Sequence, residues 1–286
     1  MKEATRYINN GYRFFDTHAH LYDERFAQEG ITSEDILKNA SEAGVERILI
    51  PADNLDTSRR ATSYVKEHDG KSGIKLYASV GVHPHEASSW NEDVKKELYN
   101  LIEKREELKI RAIGEIGLDY HYDFSPRDIQ RKVYEEQLLM AYELDMPIIL
   151  HEREAAGDSM DILRRLYKAG NMRENVGVCH CCSASPEIAK ELVKMGFYIG
   201  FDGPITFKNN KNTPAVCEAI PMDRIVIETD SPYLTPIPNR GLTNEPCFVP
   251  FVAEKISEIK DMTIEEVSEA LMRNSKALYE ITEEDI

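Results

Sequence analysis

Side chains able to ligate a metal ion or move a proton stand just after short apolar runs, in five separate parts of the chain. Asp16-Thr17-His18-Ala19-His20 sets two imidazoles at i and i+2, and on extended chain such a pair points the same way, so both can serve one ion. Gly114-Glu115-Ile116-Gly117-Leu118-Asp119 offers carboxylates, His151-Glu152-Arg153-Glu154-Ala155 an imidazole with a guanidinium two residues on, and His180 a further imidazole. Glu228-Thr229-Asp230-Ser231-Pro232 closes the series. Together His18, His20, His151 and His180 with Glu115 and Asp230 form a mixed nitrogen and oxygen set suited to Zn²⁺, Mn²⁺ or Fe²⁺. A carboxylate can bridge two such ions. Two ions about 3.5–4 Å apart activate a water and stabilise a leaving oxygen in phosphoryl displacement. The imidazoles argue against an all-oxygen Mg²⁺ site, although Mg²⁺ can support activity at a weaker second site.

For these residues to meet, distant segments must converge. Eight apolar runs recur: 12–15, 47–50, 76–82, 110–113, 147–150, 176–178, 197–201 and 224–227. Helical spacing fills the intervals. Ser33 is placed to cap a helix carrying Ile36, Leu37, Ala40 and Ala43 on one face and stopping at Gly44. Val94, Leu98, Leu101 and Ile102 repeat the spacing, and Ser125-Pro126 and Ser185-Pro186 read as N-cap plus first-turn proline. Thr263 and Glu266 form a capping box that opens a C-terminal helix with Val267, Ala270, Leu271 and Leu278 inward. Strand and helix alternating eight times predict a single-domain (β/α)8 TIM barrel over residues 1–286, with an extra C-terminal helix. An open doubly wound sheet is the competing arrangement. In a barrel the C-terminal strand ends share one mouth, where all six donors would gather.

Composition narrows the function. The 286 residues carry 35 basic and 51 acidic side chains, net −16, which excludes a broad basic surface for wrapping nucleic acid. Two divalent cations bring about +4 against the two carboxylates, so the mouth can be locally positive on an acidic exterior. For any nucleic-acid substrate, contact would then be local, at strand ends or short single-stranded oligonucleotides. Five cysteines form no disulfide framework, MKEATRYINN lacks the apolar core of a secretion signal, and no apolar run is long enough for a membrane. A cytoplasmic protein with no obligate protein partner is expected. Nucleotide-binding glycine loops, a serine nucleophile elbow and a zinc-deaminase signature are all missing from the sequence.

The ordered motifs FFDTHAH (14–20), GVHPH (81–85), GEIGLD (114–119), HEREA (151–155), His180-Cys181 and ETDSPYL (228–234) resemble the TatD family of metal-dependent deoxyribonucleases within the amidohydrolase-like barrels. The likeness runs from about Phe14 to Tyr279 and takes in Pro238-Asn239-Arg240-Gly241, Asn244-Glu245-Pro246 and Val252-Ala253-Glu254-Lys255. It implies one metal on His18, His20, Glu115 and Asp230 and a second on Glu115, His151 and His180, with Glu115 bridging. It also implies phosphodiester hydrolysis, commonly exonucleolytic from a 3′ end, and a link to DNA repair. Asp230 would both ligate metal and take the proton of the attacking water. His83, His85 and Arg153 would meet the substrate phosphate.

The residues alone leave other readings open. Arg153 can instead pair with Glu152 or Glu154, and His83 and His85 can be structural. Tyr22 stands where the family usually has Asp or Asn, and Cys182 and Ala184 replace Phe and Gly. A pocket widened at Cys182 would change base stacking. Cys179-His180-Cys181-Cys182 invites a thiolate metal site, but no second cysteine pair accompanies it. The same barrel and metals could cleave an amide or ester, as in relatives associated with removing D-amino acids from tRNA, or could serve a non-catalytic scaffold.

Overall fold

The computed structural model describes residues 4–282. Eight strands follow one another: β1 (Phe14–Asp16), β2 (Val45–Ile50), β3 (Lys75–Val80), β4 (Ile110–Asp119), β5 (Ile148–Arg153), β6 (Gly177–Cys179), β7 (Phe197–Phe201) and β8 (Ile225–Ile227). Each pairs in parallel with the next in chain order. A doubly wound sheet reverses its strand order and leaves two edges; here first and last strands meet instead. Thr17 donates to the Ile227 carbonyl through N–H (3.1 Å) and hydroxyl (2.9 Å), and further up the seam Asp230 N–H donates to His18 O (2.9 Å). The fold is a (β/α)8 barrel.

Inside, each strand contributes one residue to an apolar layer: Phe15, Leu49, Tyr77, Ala112, Ile149, Val178, Tyr198 and Val226. Met272, Leu278, Tyr279 and Ile281 pack on the same layer and close that end. Helix 264–278 reaches there by the expected capping box, and Tyr279 donates to Thr17 O (3.1 Å). Outside the strands a larger apolar shell joins them to the surrounding helices.

Local chemistry shifts several boundaries. The N-cap of helix 33–42 is Thr32, because Asp35 reciprocates its hydrogen bond; Ser33 is the first helical residue. Ser125 does not cap helix 127–143, since its hydroxyl donates to His85 O (2.9 Å) instead. Strands β4 and β5 run past the apolar residues, through Asp119 and Arg153. Register slips between Ile113 and Ile116, around Glu115. The flanking glycines permit this: a Cβ on Gly114 would lie 2.6 Å from the Ile149 Cβ. At Gly117, φ is +146° and a Cβ would collide with the His151 carbonyl.

Candidate metal centre

The C-terminal ends of the strands open into a cavity of about 560 Å³ lined by His20, His83, His151, His180, Glu115 and Asp230, among others. His18 sits beneath it, fully buried. Asp16 ties the seam at this level, accepting from Thr229 N–H (2.9 Å) and Thr229 hydroxyl (2.6 Å) and thereby fixing the ends of β1 and β8 on which His18 and Asp230 stand. Burial pushes the Asp16 carboxyl up to about 8, against the opposing pull of the Thr229 hydrogen bonds.

Glu115 is the hub. Its Oε1 lies 2.6 Å from His18 Nε2 and 3.8 Å from His20 Nε2, and its Oε2 lies 3.5 Å from His83 Nε2 and 3.8 Å from His151 Nδ1. Asp230 Oδ1 stands 3.4 Å from His20 Nε2 and 3.7 Å from His18 Nε2. Three compact donor groups result: His18, Glu115 and His180; His18, His20 and Asp230; His83, Glu115 and His151. Glu115 Oε1 and His18 Nδ1 are buried with no hydrogen-bond partner among the described residues. Buried polar atoms are ordinarily paired. Two Lewis bases converging this way, amid imidazoles and a second carboxylate, fit a divalent ion of borderline softness.

Electrostatics follows from the crowding. Burial pushes the Glu115 carboxyl up, while neighbouring imidazoles partly offset it. Burial alone would also raise Asp230, but the hydrogen bond from His20 and the charges of His180 and His20 hold it below the ordinary range. His18 and His83 are driven down by burial and by the other imidazoles, so both are neutral. Burial works against charge on His20 too, yet the Asp230 hydrogen bond and the Asp53 and Glu115 charges lift it to about 9.

The partners behind each ring decide which nitrogen faces the cavity. Asp119 Oδ2 accepts from His151 Nε2 (3.1 Å) and from His85 Nε2 (2.9 Å), leaving the His151 Nδ1 lone pair toward Glu115. His180 Nδ1 lies 3.0 Å from Glu228 Oε1, and its Nε2 faces Glu115 and Asp230 at 3.9 and 4.0 Å. His83 is the opposite case: its Nδ1 accepts the His85 backbone N–H (3.2 Å), so in the neutral ring Nε2 carries the proton. An imidazole presenting N–H is a donor to an anionic oxygen and not a metal ligand in that form.

The structure gathers all six expected ligands at one mouth. His180 stacks on His18 (centroids 3.6 Å, planes 14° apart) and belongs to the Oε1 side of Glu115, whereas His151 shares the Oε2 side with His83. In the barrel β5 and β6 are neighbours, so His151 and His180 stand at the ends of adjacent strands, while β1, which leads to His18, lies three strands from β6. Arg153 reaches the cavity wall and rests over the Tyr122 ring, its Cζ 4.9 Å from the centroid. The alternative ion pairs do not form among the described residues: Glu154 engages His121 (2.7 Å) and Glu152 accepts Ala155 N–H (2.8 Å). Tyr22 donates to Pro51 O (2.8 Å), occupying a backbone acceptor at the rim. Buried Cys179 and Cys182 and half-buried Cys181 are in none of the donor groups.

Asp119, Glu228 and Asp16 are the residues that reading for ligands passed over. A signal existed for two of them: Asp119 is at i+4 from Glu115 on one extended strand, and Glu228 at i−2 from Asp230, so each shares a face with a ligand.

Fold and donor set define a (β/α)8 barrel built to hold divalent metal at its C-terminal mouth. Residues 15–280 match the family described as TatD related DNase, and the chain belongs to it. It is a metal-dependent hydrolase of that family. An uncharacterized metal-dependent hydrolase of Bacillus subtilis, YabD, is 42% identical over 93% of this chain and 99% of its own length. A Pantoea ananatis protein named 3′-5′ ssDNA/RNA exonuclease TatD is 30% identical, over 93% of this chain and 98% of its own. The crystal structure of YjjV, a TatD homologue from Escherichia coli K12, superposes with a TM-score of 0.83 at 29% identity, covering 94% of this chain and 99% of that one. Among the described residues no helix is long and apolar enough to cross a membrane.

Proposed function

We propose that the protein removes nucleotides from the 3′ ends of single-stranded DNA, hydrolysing phosphodiester bonds with two divalent ions that His18, His20, Glu115, His151, His180 and Asp230 would hold. The observation that carries this is the division of Glu115: its two oxygens face separate histidine groups, one with His18, His20, His180 and Asp230, the other with His151 and His83. The name of the Pantoea relative supports the strand polarity and substrate. Divalent ions held by these residues would supply an acidified water and charge to counter the leaving oxygen.

The protein's own groups supply the rest. Asp230, held ionised by His20, takes the proton of the attacking water. Asp119 and Glu228 hold His151 and His180 in the ligating orientation. The His83 Nε2–H donates to a phosphate oxygen, with His85 beside it (ring centroids 4.4 Å) and Arg153 offering a planar fork from the rim. The acidic surface disfavours duplex wrapping, so affinity concentrates where a strand end reaches the metals.

The test follows shortening of 5′-labelled single-stranded DNA with Mn²⁺ or Mg²⁺, beside a chelated control and the Glu115→Ala protein. Stepwise shortening that requires both metal and Glu115 is expected. Intact DNA with metal confirmed bound would replace this reading with ester or amide hydrolysis.

A further inference from the structure

Beside the mouth, the loop after β4 exposes two aromatic rings that the hydrolytic machinery does not use. Tyr122 and Phe124 stack in parallel, centroids 5.3 Å apart and planes 7° apart, yet they are 49% and 68% exposed. Rings of this size are favoured in the interior, so a pair left in water marks a contact surface. The loop that carries the pair is braced by hydrogen bonds. Asp119 Oδ1 accepts the backbone N–H groups of His121 (2.9 Å) and Tyr122 (3.1 Å), and Arg127 pairs with Asp123 (2.7 Å) while donating to Tyr120 O (3.2 Å).

Position connects the rings to the reacting centre. His85 lies edge-on to Phe124 (4.9 Å) and to His83 (4.4 Å), so one imidazole separates the aromatic pair from the group around Glu115. Tyr122 lines the cavity, and the Arg153 cation covers its ring. We propose that Tyr122 and Phe124 form a stacking platform for the 3′-terminal nucleobase, with Arg153 placing a cation beside the adjoining backbone. This rests on the single-strand reading above and adds the residues that grip the base. A flat hydrocarbon face accepts any of the four bases, because each has a π-face, and so confers grip without sequence preference.

The probe is a single-stranded oligonucleotide whose 3′-terminal base is 2-aminopurine, placed next to an abasic site so that it is unstacked in free solution. Its fluorescence is read on rapid mixing with the intact protein and Mn²⁺, before turnover. Quenching by the wild-type protein is expected, with most of it lost in Phe124→Ala and restored in Phe124→Trp. In steady state Phe124→Ala should raise KM for the strand about tenfold with kcat within about twofold, the size expected for one lost base stack. That difference should vanish on a strand abasic at its 3′ terminus. Quenching that is absent, or equal in wild type and Phe124→Ala, overturns the platform even if the strand is cleaved. Quenching that depends on Phe124 without any cleavage upholds the platform and removes the nuclease reading. Phe124 is mostly in solvent, so its replacement leaves the fold intact, and Tyr122→Ala provides a second, independent disruption of the stack.

Discussion

The two ends of the barrel interior are made by the same strands and obey opposite rules. At the closed end one residue per strand, from Phe15 to Val226, packs with Tyr279 and Leu278 in a dry layer. At the open end the next inward positions carry imidazoles and carboxylates, several with polar atoms left unpaired. The first region stabilises the molecule by removing apolar area from water; the second costs stability, because Asp16 and Glu115 are held where burial opposes their charge. Stability and chemistry are thus separated along the barrel axis, as the parallel fold allows.

Substitution at each end should separate the two roles. Glu115→Ala removes the carboxylate shared by two donor groups and is expected to abolish hydrolysis, by about 10³-fold or more, while the melting temperature holds or rises. Collapse of the fold in that variant would break the division. Tyr279→Ala, at the other end, deletes a buried ring and the donor to Thr17 O. A loss of about 3–5 kcal/mol in chemical denaturation is expected, with metal content per folded molecule unchanged. Asp119→Asn keeps the shape but turns one oxygen into an N–H donor, so it cannot accept both the two imidazoles and the His121 and Tyr122 N–H groups, and activity or metal affinity should fall about 10–100-fold. An unaltered titration with Mn²⁺ and unaltered turnover together would show that the orientation of His151 is set elsewhere. His83→Ala sharpens the comparison within the open end: a donor to phosphate predicts full metal occupancy by elemental analysis and a drop of about tenfold in kcat/KM. Loss of one metal per chain would instead make His83 a ligand on its other tautomer.

Much of this was legible in the chain. The eight apolar runs named the strands, and the placement of His18, His20, Glu115, His151, His180 and Asp230 just beyond them located the cluster at one mouth. Where the reading fell short, a side chain had a remote alternative. Ser125 has the local pattern of a helix cap, but the His85 carbonyl, 40 residues away in sequence, claims its hydroxyl. The stacking of His180 on His18 likewise exists only once the barrel is closed. Tyr122 and Phe124 gave no periodic signal, since a loop exposes rings without a pattern that distinguishes them from core residues.

Sequence by itself determined the strand and helix alternation, the donor types and their side of each strand, because alternation and capping act over a few residues. Tertiary structure decided which nitrogen each imidazole presents and which oxygen of Glu115 it faces. Those choices rest on partners such as Asp119, which accepts from His151, and Glu228, whose Oε1 faces His180 Nδ1, 32 and 48 positions away, which only barrel closure brings within 3.1 Å.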